Sequence, residues 1–184
     1  MLSQIKQAWK LKDVRRKILY TLMMIVVFRI GATIPVPGVN TNIIKGMVDS
    51  NGLLSLYNMF TGGAFSQFTL FALGIGPAIT ASIIIQLLTI GFESLGELQK
   101  SGEEGKKKIN KYTKYIALVL AFIQAIAITL GIVKGALISK SAFFIITVIL
   151  TLVSASMLLM WIGDKITEKG LGNGSSIIIF IGIV

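Results

Sequence analysis

The chain has 184 residues, of which 54% are hydrophobic and only 14% charged, and its formal net charge is +10. Soluble domains carry about 25% charged residues, so this composition favours a membrane protein. The sequence contains no cysteine and no histidine, which excludes a disulfide scaffold and any Cys/His metal site. We expect a helical membrane protein without a metal or other cofactor.

Apolar segments recur along the chain, and most are long enough to cross a bilayer, which needs about 20 apolar residues. They are residues 18–34, 68–92, 115–133, 142–163 and 175–184. The first four can span. The fifth stops after ten residues inside an apolar run, which predicts that the chain is a fragment of a longer protein.

Positive charge alternates between the connecting segments and predicts how the spans are oriented. Segments 1–17, 93–114 and 164–174 hold fourteen lysines and arginines, whereas loops 35–67 and 134–141 hold three. This bias predicts a cytoplasmic N-terminus. A solvated collar at the membrane surface explains the basic runs, and the alternative is a docking site for a partner or for nucleic acid.

The N-terminal segment has its own apolar pattern. Leu2, Ile5 and Trp9 fall at helical spacing between lysines. This spacing predicts a short amphipathic helix that lies in the cytoplasmic interface.

The loop between the first two spans contains a short apolar segment, GLLSLYNMFTGG, at residues 52–63. Leu53, Leu56, Tyr57 and Phe60 recur at i, i+3, i+4 and i+7, and Gly62 and Gly63 follow. The pattern predicts a one-sided helix ended by glycine, too short to span and too apolar for water. It either lies on the outer leaflet or folds back among the spans, where protein or a water-filled cavity shelters its backbone.

The second apolar run, residues 68–92, contains no charge but is interrupted near its start by Gly74, Gly76 and Pro77. Its far half carries Thr80, Ser82 and Gln86. A simple lipid anchor needs none of these residues. They predict a helix that lines a cavity or moves against a neighbour.

Four blocks of sequence carry a family resemblance. They are FRIGATIPVPG (residues 28–38), NMFTGGAFSQFTLFALGIGPAITASIIIQLL (58–88), KINKYTKY (108–115) and MWIGDKITEKGLGNGSSIIIF (160–180). These blocks resemble the bacterial SecY family, the channel subunits of the protein-secretion translocon. The resemblance covers nearly the whole chain and corresponds to the family's first four spans and the beginning of the fifth.

The resemblance implies an all-α polytopic membrane protein, one five-helix half of an inverted-repeat channel around a central pore. A re-entrant plug helix at about residues 53–65 would close the pore from outside. The implied location is the bacterial plasma membrane. The implied partners are SecE and SecG, the SecA motor ATPase, the ribosome, translocating polypeptides, signal sequences and membrane lipid. No direct nucleic-acid function is expected, and half of a channel is not expected to transport anything alone.

The resemblance also implies a ring of apolar side chains that seals the pore around a passing polypeptide. Ile75, Ile79 and Ile179 match ring positions, and the first two share a helix face at i, i+4. Aliphatic side chains wet poorly and so hold back ions without reading the sequence of the passing chain. Ser175 stands where the family usually has an isoleucine of this ring, so the ring is more polar on one side or sealed elsewhere. The alternative for Ile75 and Ile79 is ordinary helix packing.

Further along the second span, the resemblance implies a lateral gate through which apolar segments leave for lipid. The residues implied there are Thr80, Ile83, Ile84 and Gln86, with Gln124 in the third span. A polar side chain buried at the shut gate must find new partners when the gate opens, which would tune the opening equilibrium. The alternative is a set of ordinary interhelical hydrogen bonds.

Other kinds of site find little support in the sequence. GLGNG at residues 170–174 follows a predicted span rather than a strand, which argues against a dinucleotide site, and SGEEGKKK at 101–108 lacks the Ser/Thr of a P-loop. Catalytic residues are not apparent, so we do not expect an enzyme. A small-solute transporter would need an ionisable site at membrane depth, where this sequence offers only Arg29. A pure scaffold would leave the plug-like helix unexplained.

Overall fold

The computed structural model describes residues 11–137 and 141–183, and these residues form eight α-helices. The helices are α1 (Lys12–Gly31), α2 (Thr41–Ser50), α3 (Gly52–Phe60), α4 (Gly76–Gly91), α5 (Glu93–Lys100), α6 (Glu103–Gly131), α7 (Ala142–Lys169) and α8 (Gly174–Ile183). A short 3₁₀ turn, Val133–Gly135, follows α6. The predicted amphipathic helix at Leu2, Ile5 and Trp9 lies outside the described residues.

Within the described part of the chain, two helices, α6 and α7, are long and apolar enough to cross a membrane by themselves. Helices α4 and α5 are long and apolar enough only when they are counted as one span, and the chain bends by 106° between them. Helix α1 includes Arg29 and begins with a basic first part. It therefore carries too much charge to count as a span by length and composition, although we predicted a span at residues 18–34. Length and composition therefore support two or three of the four predicted spans.

The helix of the second apolar run begins at Gly76, eight residues later than the run itself. Residues 68–75, here called the entry segment, form turns, and Phe68 and Gly74 adopt positive φ angles of 44° and 61°. Pro77 then stands in the first turn of α4, where its missing N–H is no loss. The predicted second span is thus helical over only its latter two-thirds.

Backbone hydrogen bonds replace helical ones in the entry segment. The N–H of Val36 donates to the carbonyl oxygen of Phe68 at 2.9 Å, and the N–H of Leu70 donates to that of Ile34, also at 2.9 Å. A second connection, from the N–H of Asn40 to the carbonyl oxygen of Ala136 at 2.8 Å, joins the same loop to the turn after α6. The proline-containing loop therefore fixes both neighbours through backbone contacts.

Two of the predicted polar loops are largely helical. Helix α6 begins at Glu103, within the predicted loop 93–114, and α7 continues to Lys169, within the predicted loop 164–174. Two acidic residues in the first turn of α6 and a lysine in the last turn of α7 interact favourably with the helix dipoles. The helices therefore extend beyond their apolar parts.

The core of residues 11–137 and 141–183 consists of two hydrophobic clusters. The first surrounds Phe65 and Phe68 and includes parts of α2, α6 and α7, and the second joins α1, α4, α7 and α8. Helix α6 contributes Ala117, Ala121 and Ala125, all almost fully buried and spaced four residues apart. Small side chains at this spacing allow helices to approach closely. Accordingly, α6 packs extensively on both α4 and α7.

Candidate pore-lining site and plug

Helix α3, the predicted plug, is short and capped at both ends by local chemistry. The side-chain oxygen of Asn51 accepts a hydrogen bond from the N–H of Leu53 at 3.1 Å, which satisfies one free donor of the first turn. After Phe60 the chain reverses through Gly62 and Gly63, whose φ angles of +67° and +79° favour glycine. The predicted helix and its glycine ending are both present.

The four apolar plug positions do not share one environment. Leu53, Leu56 and Phe60 are exposed, by 79%, 56% and 57%, whereas Tyr57 is half-buried and packs against the first hydrophobic cluster together with Leu54. The side of α3 that faces the protein is therefore formed by Leu54 and Tyr57. The predicted apolar stripe is split, and most of it points away from the described residues.

Tyr57 anchors the plug helix to the entry segment. Its hydroxyl donates a hydrogen bond to the carbonyl oxygen of Leu73 at 3.0 Å. Its ring meets that of Phe65 edge to face, with centroids 5.0 Å apart, and Phe65 in turn meets Phe68. Burial raises the pKa of Tyr57 to about 12.

A second side chain binds the next carbonyl of the entry segment. The hydroxyl of Ser156, on α7, donates to the carbonyl oxygen of Gly74 at 3.3 Å in a buried setting. The carbonyls of Leu73 and Gly74 directly precede Ile75, the first predicted ring residue. Two hydroxyl groups from two different elements thus fix the backbone that leads into α4.

Ile75 stands immediately before α4 and is 94% buried, since its exposed fraction is 6%. Its Cδ1 atom and that of Ile178 each lie 3.5 Å from the position of a Cβ at Gly163. The two side chains therefore both pack over the same glycine of α7. Ile178, on α8, is a residue of this site that the sequence did not reveal, because an apolar helix end shows no preferred face.

The other predicted ring residues lie at the edge of the same cluster. Ile79, one turn after Ile75, and Ile179, beside Ile178, are half-buried and pack against the second hydrophobic cluster. Ser175 is half-buried one turn before Ile179, and its N–H donates to the side-chain oxygen of Asn173 at 3.0 Å. The structure thus brings the α4 and α8 isoleucines into one cluster, with Ser175 at the start of α8.

The predicted gate residues do not converge. Thr80 and Ile83 are exposed on α4 and Ile84 is half-buried. Gln86 lines a cavity of about 350 Å³ between the ends of α4, α6 and α7, beside Lys114. Gln124 is half-buried ten residues further along α6, about 15 Å along the helix axis from Lys114.

Two further contacts escaped the sequence analysis. Gly62 lies against Gly182 of α8, so closely that a Cβ on Gly62 would be 2.9 Å from the carbonyl oxygen of Gly182. The guanidinium of Arg29 donates to the carbonyl oxygen of Ile181 at 2.6 Å. Glycines in apolar segments were the available signal for the first contact, whereas nothing in the sequence pointed to the second.

Comparison with known proteins finds a matching family model and similar proteins. The family model described as SecY matches residues 69–184. A SecY protein translocase subunit from Buchnera aphidicola subsp. Acyrthosiphon pisum is 45% identical over 179 residues, which is 94% of this chain and 41% of the relative. This chain therefore spans about two-fifths of the length of that relative.

Solved structures show the same fold. One, described as a protein conducting channel, has a TM-score of 0.67 and 23% identity over 91% of this chain and 36% of its own. Another, a SecY protein described for its plug domain, has a TM-score of 0.64 and 24% identity, and covers 91% of this chain and 35% of its own. The family match over more than half of the sequence places this helical chain in the SecY family.

Proposed function

We propose that this chain is the amino-terminal part of a protein-conducting channel subunit, in which α3 is the plug that closes the pore. The whole channel would move unfolded secretory polypeptides across the membrane and release apolar segments sideways into lipid. The observation that carries the proposal is the short apolar helix α3, which is held to the entry segment by Tyr57 and leaves Leu53, Leu56 and Phe60 exposed. We assign no catalytic step to this chain.

The seal around the passing polypeptide would be formed by Ile75, Ile79 and Ile179, with Ser175 as a more polar neighbour. Their membership of one hydrophobic cluster supports this assignment for the isoleucines. An apolar constriction holds back ions because water wets it poorly, and it makes no specific hydrogen bond to the passing chain. Ile178 belongs to the same cluster, packs over the same glycine of α7 as Ile75, and would help to keep Ile75 in place.

The lateral gate would be formed by the outer face of α4, at Thr80, Ile83 and Ile84. The exposure of Thr80 and Ile83, beside the half-buried Ile84, supports this assignment. We propose Gln86 and Gln124 at the same gate but at different depths, since Gln86 lines the cavity at Lys114 and Gln124 lies ten residues further along α6. An exposed apolar helix face of this kind is suited to contact lipid or an apolar signal sequence.

The proposed partners are the SecE and SecG subunits, the SecA motor ATPase, the ribosome and translocating polypeptides. The proposed location is the bacterial plasma membrane. The distribution of lysine and arginine supports a cytoplasmic N-terminus, with residues 93–114 and 164–174 on the same side. A structural neighbour, Sec61, is described within a canine ribosome–channel complex, which supports the ribosome as a partner.

The test is removal of residues 53–65 from the full-length channel, reconstituted in planar bilayers. We expect the resting ion conductance to rise, because the pore loses its plug while the ring remains. A carrier or a scaffold of similar fold would not acquire a leak from this deletion. An unchanged resting conductance with normal membrane insertion would contradict the proposal.

A further inference from the structure

The entry segment has carbonyl groups that no helix satisfies. It precedes α4, and its turns leave the carbonyl oxygens of Leu73 and Gly74 to side-chain donors, Tyr57 and Ser156 respectively. Leu73 and Gly74 are both buried. A buried carbonyl without a donor is costly, and more so in an apolar surrounding without water. These two hydrogen bonds are therefore a condition for the non-helical path into Ile75.

The two hydrogen-bond donors lie on helices of different kinds. Ser156 is part of α7, a long helix of the core, whereas Tyr57 is part of the nine-residue plug helix α3. If the plug leaves, the carbonyl of Gly74 keeps its donor but the carbonyl of Leu73 loses its own. The entry segment then needs water or a new conformation, so its state depends on where the plug is.

A second contact joins the same two elements. Thr61, which ends α3, packs on the entry segment so closely that a Cβ on Gly74 would lie 3.1 Å from its Cγ2 atom. Gly74 also has a φ angle of +61°, which a larger residue adopts poorly. The plug thus contacts the entry segment on both sides of the peptide between Leu73 and Gly74.

We propose that Tyr57 is a positioning residue that couples the plug to the seal, because its hydroxyl holds the Leu73 carbonyl and thereby the backbone of Ile75. The inference rests on the proposed plug function and deepens it. Displacement of α3 removes the donor of Leu73 and loosens the backbone two residues before Ile75, the first seal position. Water that enters the pore satisfies the carbonyl, so plug displacement and wetting of the seal favour each other.

The test uses the full-length channel with its partner subunits in lipid nanodiscs and compares two substitutions of the same kind. Tyr57→Phe removes only the hydroxyl and retains the ring that packs on Phe65. Tyr115→Phe is the matched control, since Tyr115 is 57% exposed on α6. Amide hydrogen exchange is measured in peptides that cover residues 52–60 and 72–79, and resting ion conductance is measured in parallel.

We expect Tyr57→Phe to raise exchange in both peptides, and resting conductance, by about two- to tenfold, the range that corresponds to one hydrogen bond. Tyr115→Phe should change neither. Faster exchange in residues 52–60 alone would overturn the coupling, because the plug would loosen without the entry segment. Unchanged exchange in both peptides, or an equal effect of the control, would overturn it as well.

This outcome is separable from the proposed function. A leak after deletion of residues 53–65, together with unchanged exchange in Tyr57→Phe, would retain the plug and reject the coupling. The absence of a leak after the deletion would reject the plug whatever the exchange of the variants.

Discussion

Gly62 and Gly182 meet backbone to backbone, and this contact joins the turn after the plug helix to α8. A Cβ on Gly62 would lie 2.9 Å from the carbonyl oxygen and 3.0 Å from the Cα atom of Gly182. Neighbouring Gly63 has a similar positive φ angle but nothing within 4 Å of its Cβ position. Substitution of each glycine in turn therefore distinguishes the cost of a Cβ against α8 from the cost of a Cβ at positive φ.

We expect Gly62→Ala to destabilise the full-length channel more than Gly63→Ala. Both substitutions place a Cβ at positive φ, which costs about 1–2 kcal/mol. Gly62→Ala in addition forces the plug turn away from α8, which adds about 1–3 kcal/mol. Thermal unfolding in detergent measures the difference, and equal melting temperatures for the two variants would show that α8 gives way at no cost.

The alanine stripe of α6 offers a test of helix packing. Ala121 is 1% exposed within the first hydrophobic cluster, whereas Ala127 is exposed on the same helix. We expect Ala121→Leu to lower stability by about 1–3 kcal/mol because the larger side chain has no space. Ala127→Leu should stay within about 0.5 kcal/mol of the parent. Similar losses in both variants would mean that α6 is not closely packed at Ala121.

The hydroxyl of Thr21 connects α1 to the segment before α8. It accepts a hydrogen bond from the N–H of Leu171 at 3.1 Å and donates to the carbonyl oxygen of Lys17 at 2.9 Å. Thr21→Val keeps the shape but leaves the Leu171 N–H without this partner, so we expect a loss of about 1 kcal/mol in the free energy of unfolding.

The control for Thr21 is Thr147→Val, since the exposed Thr147 hydroxyl bonds only to the carbonyl oxygen of Phe143 in its own helix. We expect Thr147→Val to change the free energy of unfolding little. Chemical denaturation in mixed micelles compares the two variants, and a larger loss at Thr147 would contradict the role given to Thr21.

One ion pair joins the charged ends of α6 and α7. The ammonium of Lys114 lies 2.8 Å from the carboxylate of Asp164, and both side chains are more than one-third exposed. We expect Lys114→Gln to change stability by less than about 1 kcal/mol, and by even less at high salt, because water and ions screen such pairs. The exchanged pair Lys114→Asp with Asp164→Lys should restore most of any loss. A larger, salt-independent loss would show that the pair is better shielded than its exposure indicates.

Hydropathy and charge predicted the all-helical membrane fold, because apolar length is dictated by the bilayer itself. They did not predict where α4 begins. The run from residue 68 is uncharged up to the interruption at Gly74, Gly76 and Pro77, and the backbone bonds of Phe68 and Leu70 to a distant proline loop hold its first part out of the helix. Such non-local pairing leaves no periodic trace in the sequence.

The predicted ring residues lie close together in the structure, and their role in a seal is a proposal. Ile75, Ile79 and Ile179 were identified through a family resemblance, and the structure places them in one cluster. The split of the plug stripe was not predictable, since helical spacing groups Tyr57 with Leu53 and Leu56. A single hydrogen bond from its hydroxyl to Leu73, and an aromatic contact with Phe65, decide which side of α3 faces the protein.

Helix α6 is longer than the bilayer is thick. Its 29 residues span about 44 Å, whereas the hydrocarbon core is about 30 Å. The excess lies at its lysine-rich beginning, beside the end of α7, so these charges lie on a helix rather than on an irregular loop. Because α6 also packs on α4, the helix that begins next to Ile75, a partner bound at that end would touch a helix in direct contact with α4.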